Sequence, residues 1–435
     1  MPFFPNLISK LKSNKLIKNS SIFFLGSMTM SVGNYLFHLI SGRVLGPKDY
    51  GVLASLLSLN IILAVPTGVI AMVTVKLTSD IKVNKNYGEL RFLIKCLLKS
   101  LSLIGLAVFF ILCFLSPFIA RFLKIPSEKL IILLGAIVFL SFLIPVVQGV
   151  LRGLQKFKSL ALNMMVMPIT KTVLVIILLF LGFRVYGALI AMLASSIAVF
   201  ALGFKPLLFL FRFRPKNKIR LKKVLLYALP VLISLFCFTL LYNIDIIMVK
   251  HFFTETEAGL YSALSKLGQI IFFATGAIVG VMFPMVAEKY RKGEKHNHLL
   301  VQSLKIVALI SGLGLSIYWL FPKIIMQILF GSAYLSVTPL VGFFGLAMSF
   351  LAMNNIFLNY YLSIHKFKFI YILALATVLE VILILFYHNS IKQIVFNVLV
   401  SMGLLFGGFC VFYFYQNKKH RDESLNLNPR IQRGR

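Results

Sequence analysis

The sequence predicts an all-α integral membrane protein of about twelve transmembrane helices in two groups of six, and three observations carry that prediction. Of the 435 residues, 59% are hydrophobic and only 13% are charged, against about 45–50% and about 25% in soluble domains. Apolar windows of about 20 residues, each able to cross a hydrocarbon core of about 30 Å, recur along nearly the whole chain. The 45 Lys and Arg outnumber the 12 Asp and Glu, and they gather in alternate connections. A cytosolic enzyme, a disordered basic tail and a secreted disulfide scaffold are all excluded. The net charge of +33 does not indicate a nucleic-acid partner, because the 42 Phe lie in apolar runs rather than beside a soluble basic face.

In chain order the expected spans are 20–42, 50–75, 96–120, 129–151, 159–182, 186–211, 224–249, 258–287, 299–321, 336–363, 369–387 and 393–416. Lys10, Lys12, Lys15 and Lys18 before the first span imitate a signal peptide, but the apolar stretch 21–40 is as long as a full span. It reads as a retained helix, preceded by a tail, 1–19, whose Phe3, Phe4, Leu7, Ile8 and Leu11 among lysines suit the membrane surface. The expected organisation is a six-helix lobe over 20–211, a basic linker over 212–223, a second six-helix lobe over 224–416 and a basic tail over 417–435.

With a cytoplasmic N-terminus, the positive-inside rule requires basic residues in every second connection. The tails and the connections near 76–99, 152–158, 205–223, 289–305 and 366–368 hold 34 Lys and Arg, the opposite connections hold nine, and two lie within spans. A miscounted span would invert this pattern from that point on. Both termini are therefore expected in the cytoplasm, in a multi-pass protein of the cell membrane. The densest basic run, from Arg212 to Lys223, reads as a solvated linker beside anionic lipid headgroups.

A weak internal repeat supports two lobes. Span one exits through Arg43 to Asp49 and Gly51, and span seven through Lys250 to Glu255, Glu257 and Gly259. Each exit gives a cation, then acids, then a glycine opening the next helix, which is a parallel repeat about the membrane normal.

Charges inside spans cost about 2.5–3.5 kcal/mol each on insertion scales and usually face a cavity or a partner. Lys171, Asp245, Lys266 and Glu380 are the four here. Asp245 and Lys266 have two readings, an ion pair that locks helices or a place in a cavity. Ser27, Ser31, Asn34, His38 and Ser41 keep to one face of span one, and Ser262, Lys266, Gln269, Phe273, Gly276 and Gly280 form a comparable row in span eight. His38 is either titratable in a lumen or a hydrogen-bonded packing residue, and Asn354, Asn355, Asn359 and Asn397 share that ambiguity. Pro66, Pro145, Pro168, Pro230 and Pro284 sit mid-span, where they favour bends. Cys96, Cys113, Cys237 and Cys410 are dispersed through apolar runs without metal-ligand spacing and read as packing residues. No hydrolase, zinc-protease or nucleotide-loop motif is present, so no enzyme, cofactor or metal is expected. A membrane glycan polymerase, which needs a larger aqueous loop, is the different-class alternative.

At Arg43-Val44-Leu45-Gly46-Pro47-Lys48-Asp49-Tyr50-Gly51, and again at Asn243-Ile244-Asp245-Ile246-Ile247-Met248-Val249 with Glu257-Ala258-Gly259-Leu260-Tyr261-Ser262-Ala263-Leu264-Ser265-Lys266-Leu267, the sequence resembles polysaccharide and O-antigen flippases. These belong to the multidrug/oligosaccharidyl-lipid/polysaccharide exporter superfamily. With the twelve-span plan, the resemblance covers nearly the whole chain. It implies a MATE-like, V-shaped pair of six-helix bundles working by alternating access. The implied substrate is a polyprenyl-diphosphate-linked oligosaccharide, with membrane lipids and polysaccharide polymerase or assembly proteins as further partners. Lys171, Lys266, Arg43 and Lys250 are then the candidate cations for the diphosphate, with Asn34, His38 and Gln269 beside them. Asp245 and Glu380 are candidates for ion coupling or ion pairing. The chain lacks the two extra spans of the peptidoglycan-precursor flippases, and a multidrug exporter of the same architecture is the alternative function.

Overall fold

In the computed structural model, residues 15–83, 86–214 and 222–432 are described. Residues 1–14, 84–85, 215–221 and 433–435 lie outside them, so most of the N-terminal tail expected at the membrane surface and most of the basic linker have no structural description. Among the described residues there is no strand. The helices are α1 (Lys15–Leu63), α2 (Val65–Val83), α3 (Tyr87–Phe122), α4 (Lys129–Gly153), α5 (Phe157–Phe180) and α6 (Arg184–Phe204), then a 3-10 helix (Lys205–Arg212). After the linker come α7 (Lys222–Leu241), α8 (Ile244–Phe252), α9 (Glu255–Ala274), α10 (Gly276–Arg291), α11 (Asn297–Leu320) and α12 (Pro322–Leu329). A second 3-10 helix (Ser332–Leu340) leads into α13 (Val341–Ser363), α14 (Phe369–Phe386) and α15 (Ile391–Gln432).

Nine helices are long and apolar enough to cross a membrane, or up to eleven when each bent pair counts as one span, among the described residues. The bent pairs are α1 with α2 (41°) and α7 with α8 (42°). Twelve spans are expected from the sequence, and α1 is itself interrupted at Gly46, where φ is 69° and ψ is 174°. That backbone region is essentially closed to any residue with a Cβ, and Pro47 follows it, so the helix breaks there although its ladder resumes at once. The connection expected around 76–95 shrinks to three residues. α2 continues to Val83, and Asn86 starts α3 by accepting the Glu89 amide at 3.3 Å while donating to the Glu89 carboxylate at 3.1 Å, an N-cap that lets the helix restart directly.

The chain divides into two compact units. The first comprises 1–232 with 250–262 and 329–333; the second comprises 233–249, 263–328 and 334–435. In the first unit, α4 is buried on nearly every side, from Leu130 to Gly153, as expected for a helix apolar all round. Asn163 on α5 ties three helices together, accepting from Gln148 of α4 at 3.0 Å and donating to the Val199 carbonyl of α6 at 2.7 Å. By contrast α3 turns Phe110, Phe114 and Phe118 outward, with Phe114 83% exposed. An apolar stripe of that kind faces lipid rather than water.

The second unit has its own central helix, α13, buried along most of its length. Here two of the four ambiguous asparagines make packing bonds, while Asn359 bonds to Asn355 one turn earlier. Asn354 donates to the Met402 carbonyl at 3.0 Å, and Asn397 to those of Leu383 and Tyr387 at 3.2 and 2.7 Å. The Tyr318 hydroxyl donates to the Leu267 carbonyl at 2.6 Å, joining α11 to α9.

The two glycines of the internal repeat meet inside the first unit. A Cβ on Gly259 would lie 1.7 Å from the Pro47 carbonyl oxygen, and one on Gly51 would lie 2.7 Å from the Gly259 nitrogen. Neither glycine begins a helix: α1 runs through Gly51, and Gly259 lies in the second turn of α9. Their role is close backbone approach. Gly259→Ala is expected to lower the thermal midpoint in detergent by several degrees, an overpacking cost of about 1–3 kcal/mol. Gly280→Ala, whose methyl would meet nothing within 4 Å, should leave the midpoint unchanged or slightly higher. Equal midpoints for the two variants would remove the contact from the folded structure's requirements.

Candidate functional site

The polar face of α1 lies against α5 in the first unit. From α5, Lys171 reaches across so that its ammonium donates to the Asn34 Oδ1 at 2.7 Å and stands 4.3 Å from the centre of the Phe37 ring. The next residue, Thr172, donates to the Gly33 carbonyl at 3.4 Å. Lys171 is only 5% exposed and Phe37 is fully buried. Among the described residues no carboxylate lies within ion-pair distance of Lys171. The ammonium is thus held by an amide oxygen and an aromatic face, which orient a cation without neutralising it.

His38, one turn beyond Asn34, shares a 3.2 Å hydrogen bond with the Tyr50 hydroxyl. Tyr50 is fully buried and packs on Phe330 at 5.9 Å between ring centres. Arg43 is exposed and nine residues along α1 from Asn34, roughly 13 Å of helix. Lys250 occupies a different environment. Its side chain is fully buried, donates to the Lys124 carbonyl at 3.4 Å, and lies 3.9 Å from Glu255, which also pairs with Lys48 at 3.2 Å. Beside it His251 stacks on Phe122 at 4.1 Å and meets the Phe122 carbonyl at 2.7 Å. Lys250 therefore sits at the C-terminal end of α3, where exposed helix carbonyls favour cations. Of the candidates in this unit, Lys171 and Asn34 are brought together, His38 follows on the same face, and Arg43 and Lys250 are placed elsewhere.

The second unit holds a buried polar cluster at the break between α7 and α8. The break leaves the Tyr242 carbonyl outside the helical ladder, and Gln269 of α9 donates to it at 3.1 Å. Gln269 in turn accepts from the Lys266 ammonium at 2.9 Å. Asn243 donates to the Thr239 carbonyl at 3.0 Å, while its Oδ1 has no hydrogen-bond partner among the described residues. Asp245, in the first turn of α8, is fully buried and near enough for its charge to act on both Lys266 and Glu380.

Glu380 on α14 is fully buried, and neither carboxylate oxygen has a hydrogen-bond partner among the described residues. One turn earlier, Thr377 donates to the Cys237 carbonyl at 3.3 Å and fixes this face of α14 toward α7. A buried carboxylate without hydrogen bonds is costly as a bare anion, so Glu380 is an acceptor for a proton or a cation. Among the described residues there is no group of three or more His, Cys, Asp and Glu that could hold a metal.

The sequence did not single out Phe37, Thr172, Thr377 or the Tyr242 carbonyl. Phe37 is one of 42 phenylalanines, and only its position three residues after Asn34, on the face that meets Lys171, distinguishes it. The freed carbonyl had no sequence signal, since neither Gly nor Pro stands at the break.

Comparison with known proteins gives a consistent picture. A family described as polysaccharide biosynthesis protein matches residues 16–290. An uncharacterised membrane protein of Methanocaldococcus jannaschii is 26% identical over 445 residues, covering 92% of this chain and 98% of that protein. The succinoglycan biosynthesis transport protein ExoT of Rhizobium meliloti is 21% identical over 331 residues, covering 74% of this chain and 64% of that protein. Among solved structures, a multidrug resistance MATE family transporter of the MOP superfamily, in an inward-facing conformation, superposes with a TM-score of 0.70 at 16% identity, covering 89% of this chain and 96% of that one. The lipid II flippase MurJ, in an inward closed conformation, gives 0.68 at 14% identity, covering 90% and 87%. At such identities the structural likeness shows the fold, an all-α MATE-like membrane fold, and nothing finer.

Asp245 and Lys266 are the two buried charges whose coupling is most easily measured. Lys266→Met and Asp245→Asn are each expected to destabilise the protein by about 3–5 kcal/mol, because each strands a buried charge. The double variant should lose less than the sum, with a coupling of at least about 1 kcal/mol. Additive losses in thermal unfolding would show that the two residues do not interact.

Proposed function

The chain belongs to the polysaccharide biosynthesis protein family, and on that premise we propose that it is a flippase for polyprenyl-diphosphate-linked oligosaccharides, working by alternating access. The observation that carries this reading is Lys171, a buried ammonium held by Asn34 and Phe37 with no carboxylate paired to it. An uncompensated cation in a low-dielectric setting attracts a diphosphate far more strongly than the same cation in water. Lysine also binds phosphate well as a point charge. Ser31, Asn34 and His38 along the same face of α1 offer hydrogen bonds to sugar hydroxyls, while the polyprenyl tail needs only lipid.

The cluster of the second unit supplies the coupling. With Asp245 and Glu380 ionised and Lys266 charged, the three groups sum to one negative charge, which a proton or a monovalent cation cancels. Uptake in one conformation only gives the differential affinity that drives a transport cycle. Gln269 and Lys266 belong to this coupling cluster as well as to the candidate glycan contacts. The alternation of basic connections supports a cytoplasmic location for both termini, in the cell membrane, with the substrate taken up from that side and passed to a polymerase or assembly partner on the other.

A multidrug exporter of the same fold is the second reading, favoured by the likeness to the MATE family transporter. It predicts a cationic cargo, for which the unpaired Lys171 ammonium is the wrong sign. A glycan polymerase is disfavoured because the succinoglycan relative is named as a transport protein.

Lys171→Met is expected to reduce delivery of lipid-linked oligosaccharide to the far leaflet by tenfold or more in reconstituted vesicles, as read by enzymatic access to the glycan. Lys171→Arg should keep a measurable part of it. Normal delivery by Lys171→Met would remove that residue from the site, and drug efflux without glycan movement would favour the exporter. Glu380→Gln is expected to flatten the dependence of delivery on an imposed proton or sodium gradient. A gradient dependence identical to that of the parent would detach Glu380 from coupling.

A further inference from the structure

The 3-10 helix Lys205–Arg212 that follows α6 is fastened to the first unit in a way that span packing does not require. Its inward edge, Leu207 and Leu210, is buried in a cluster with Ile81, Leu90, Leu93 and Val150. Two cations from other elements hold its carbonyls. Arg91 donates to those of Phe211 and Phe213 at 2.7 and 2.5 Å and lies over the Phe211 ring at 5.3 Å. Lys156 donates to the Pro206 carbonyl at 2.9 Å and stands 4.1 Å from the Phe209 ring centre. Tyr87 adds ring contacts to Phe209 and Phe213 at 5.9 and 5.2 Å. The segment is thus a fixed strap.

Its other surface combines two chemistries. Three residues per turn place Lys205, Leu208 and Phe211 along one edge, and Leu208, Phe211 and Phe213 are 55%, 44% and 40% exposed. Lys205, Arg212 and Arg214 are exposed among them. From Lys205 to Lys223 the sequence carries eight Lys and Arg and no acid, and the nearest acids on either side are Glu128 and Asp245. Among the described residues none of Lys205, Arg212 and Arg214 makes an ion pair with a carboxylate. Apolar side chains interleaved with unopposed cations beside the end of a membrane span match one surface, a leaflet whose headgroups are anionic.

We propose that residues 205–214 form a strap that seats on anionic phospholipid headgroups, with Leu208, Phe211 and Phe213 entering the headgroup and acyl boundary and Lys205, Arg212 and Arg214 pairing with phosphates. Arg91 and Lys156 hold the strap from behind and do not contact lipid phosphate. Each cation at a leaflet surface is worth roughly a fivefold local preference for anionic lipid, and the preference is screened by salt.

The chain has a single tryptophan, Trp319, which allows a direct test on the full-length protein in vesicles. In a Trp319→Phe background, Phe211→Trp places the fluorophore on the strap and keeps an aromatic face for Arg91. Vesicles carry brominated acyl chains either on phosphatidylglycerol or on phosphatidylcholine, at equal mole fraction. Quenching by the brominated anionic lipid is expected to be several-fold stronger, to weaken at high ionic strength, and to equalise when Lys205, Arg212 and Arg214 are all changed to Gln. The native Trp319 of the parent chain should show no headgroup preference. Equal quenching by both lipids at low salt, a preference that survives the triple substitution, or no quenching by either lipid would each overturn the proposal. No transport is measured, so the outcome is independent of the substrate.

Discussion

A bilayer core offers no water to hydrogen-bond an exposed amide, and most features of this fold answer that condition. Every span is helical because a helix satisfies its own backbone, and where a helix is interrupted the freed groups need other partners. At the break between α7 and α8 the repair comes from Asn243 and Gln269, which donate to the Thr239 and Tyr242 carbonyls. Where α9 gives way to α10, the Thr275 hydroxyl returns to the Phe272 carbonyl at 2.8 Å. Polar side chains are therefore drawn to the points where the ladder fails. Asp245 and Lys266 lie within one turn or so of the α7 break on α8 and α9 because that is where the interior is already polar.

The same condition separates two uses of buried polarity. Asn163 and Asn397 spend their donors on carbonyls of adjacent helices or of the adjoining turn, and each is explained by the contact it makes. Lys171, Glu380 and the Asn243 Oδ1 are not so explained. They hold charge or acceptor capacity beyond what helix packing uses. A charge inside a span is costly to insert, and Lys171 and Glu380 are the charges on which the proposed function rests.

The helical class was legible in the sequence because it depends on hydropathy alone, and the four charges expected inside spans, Lys171, Asp245, Lys266 and Glu380, are all buried. Bends were less legible. Mid-span prolines drew attention to Pro230, yet α7 yields at Tyr242–Asn243, after Leu241, a place set by side chains that arrive from α9. The repeat glycines were visible as a pattern, but their meeting could not be read from spacing, since backbone approach is decided by tertiary packing. Lys250 shows the same limit. In sequence it is one more cation at a span exit, while in the fold it is fully buried against the end of α3 and Glu255, contacts 126 and five residues away.

The sign of charge differs between the two buried sites, and this constrains any transport cycle built on them. The first unit presents an ammonium with neutral neighbours, which gains when an anion arrives. The second presents two carboxylates and one ammonium, which gain when a cation or proton arrives. Sites of opposite sign do not compete for one ion, so the proposed function does not rest on a cation and an anion displacing each other at one shared pocket. At the break between α7 and α8 the backbone is held by the Asn243 and Gln269 side chains rather than by an unbroken ladder.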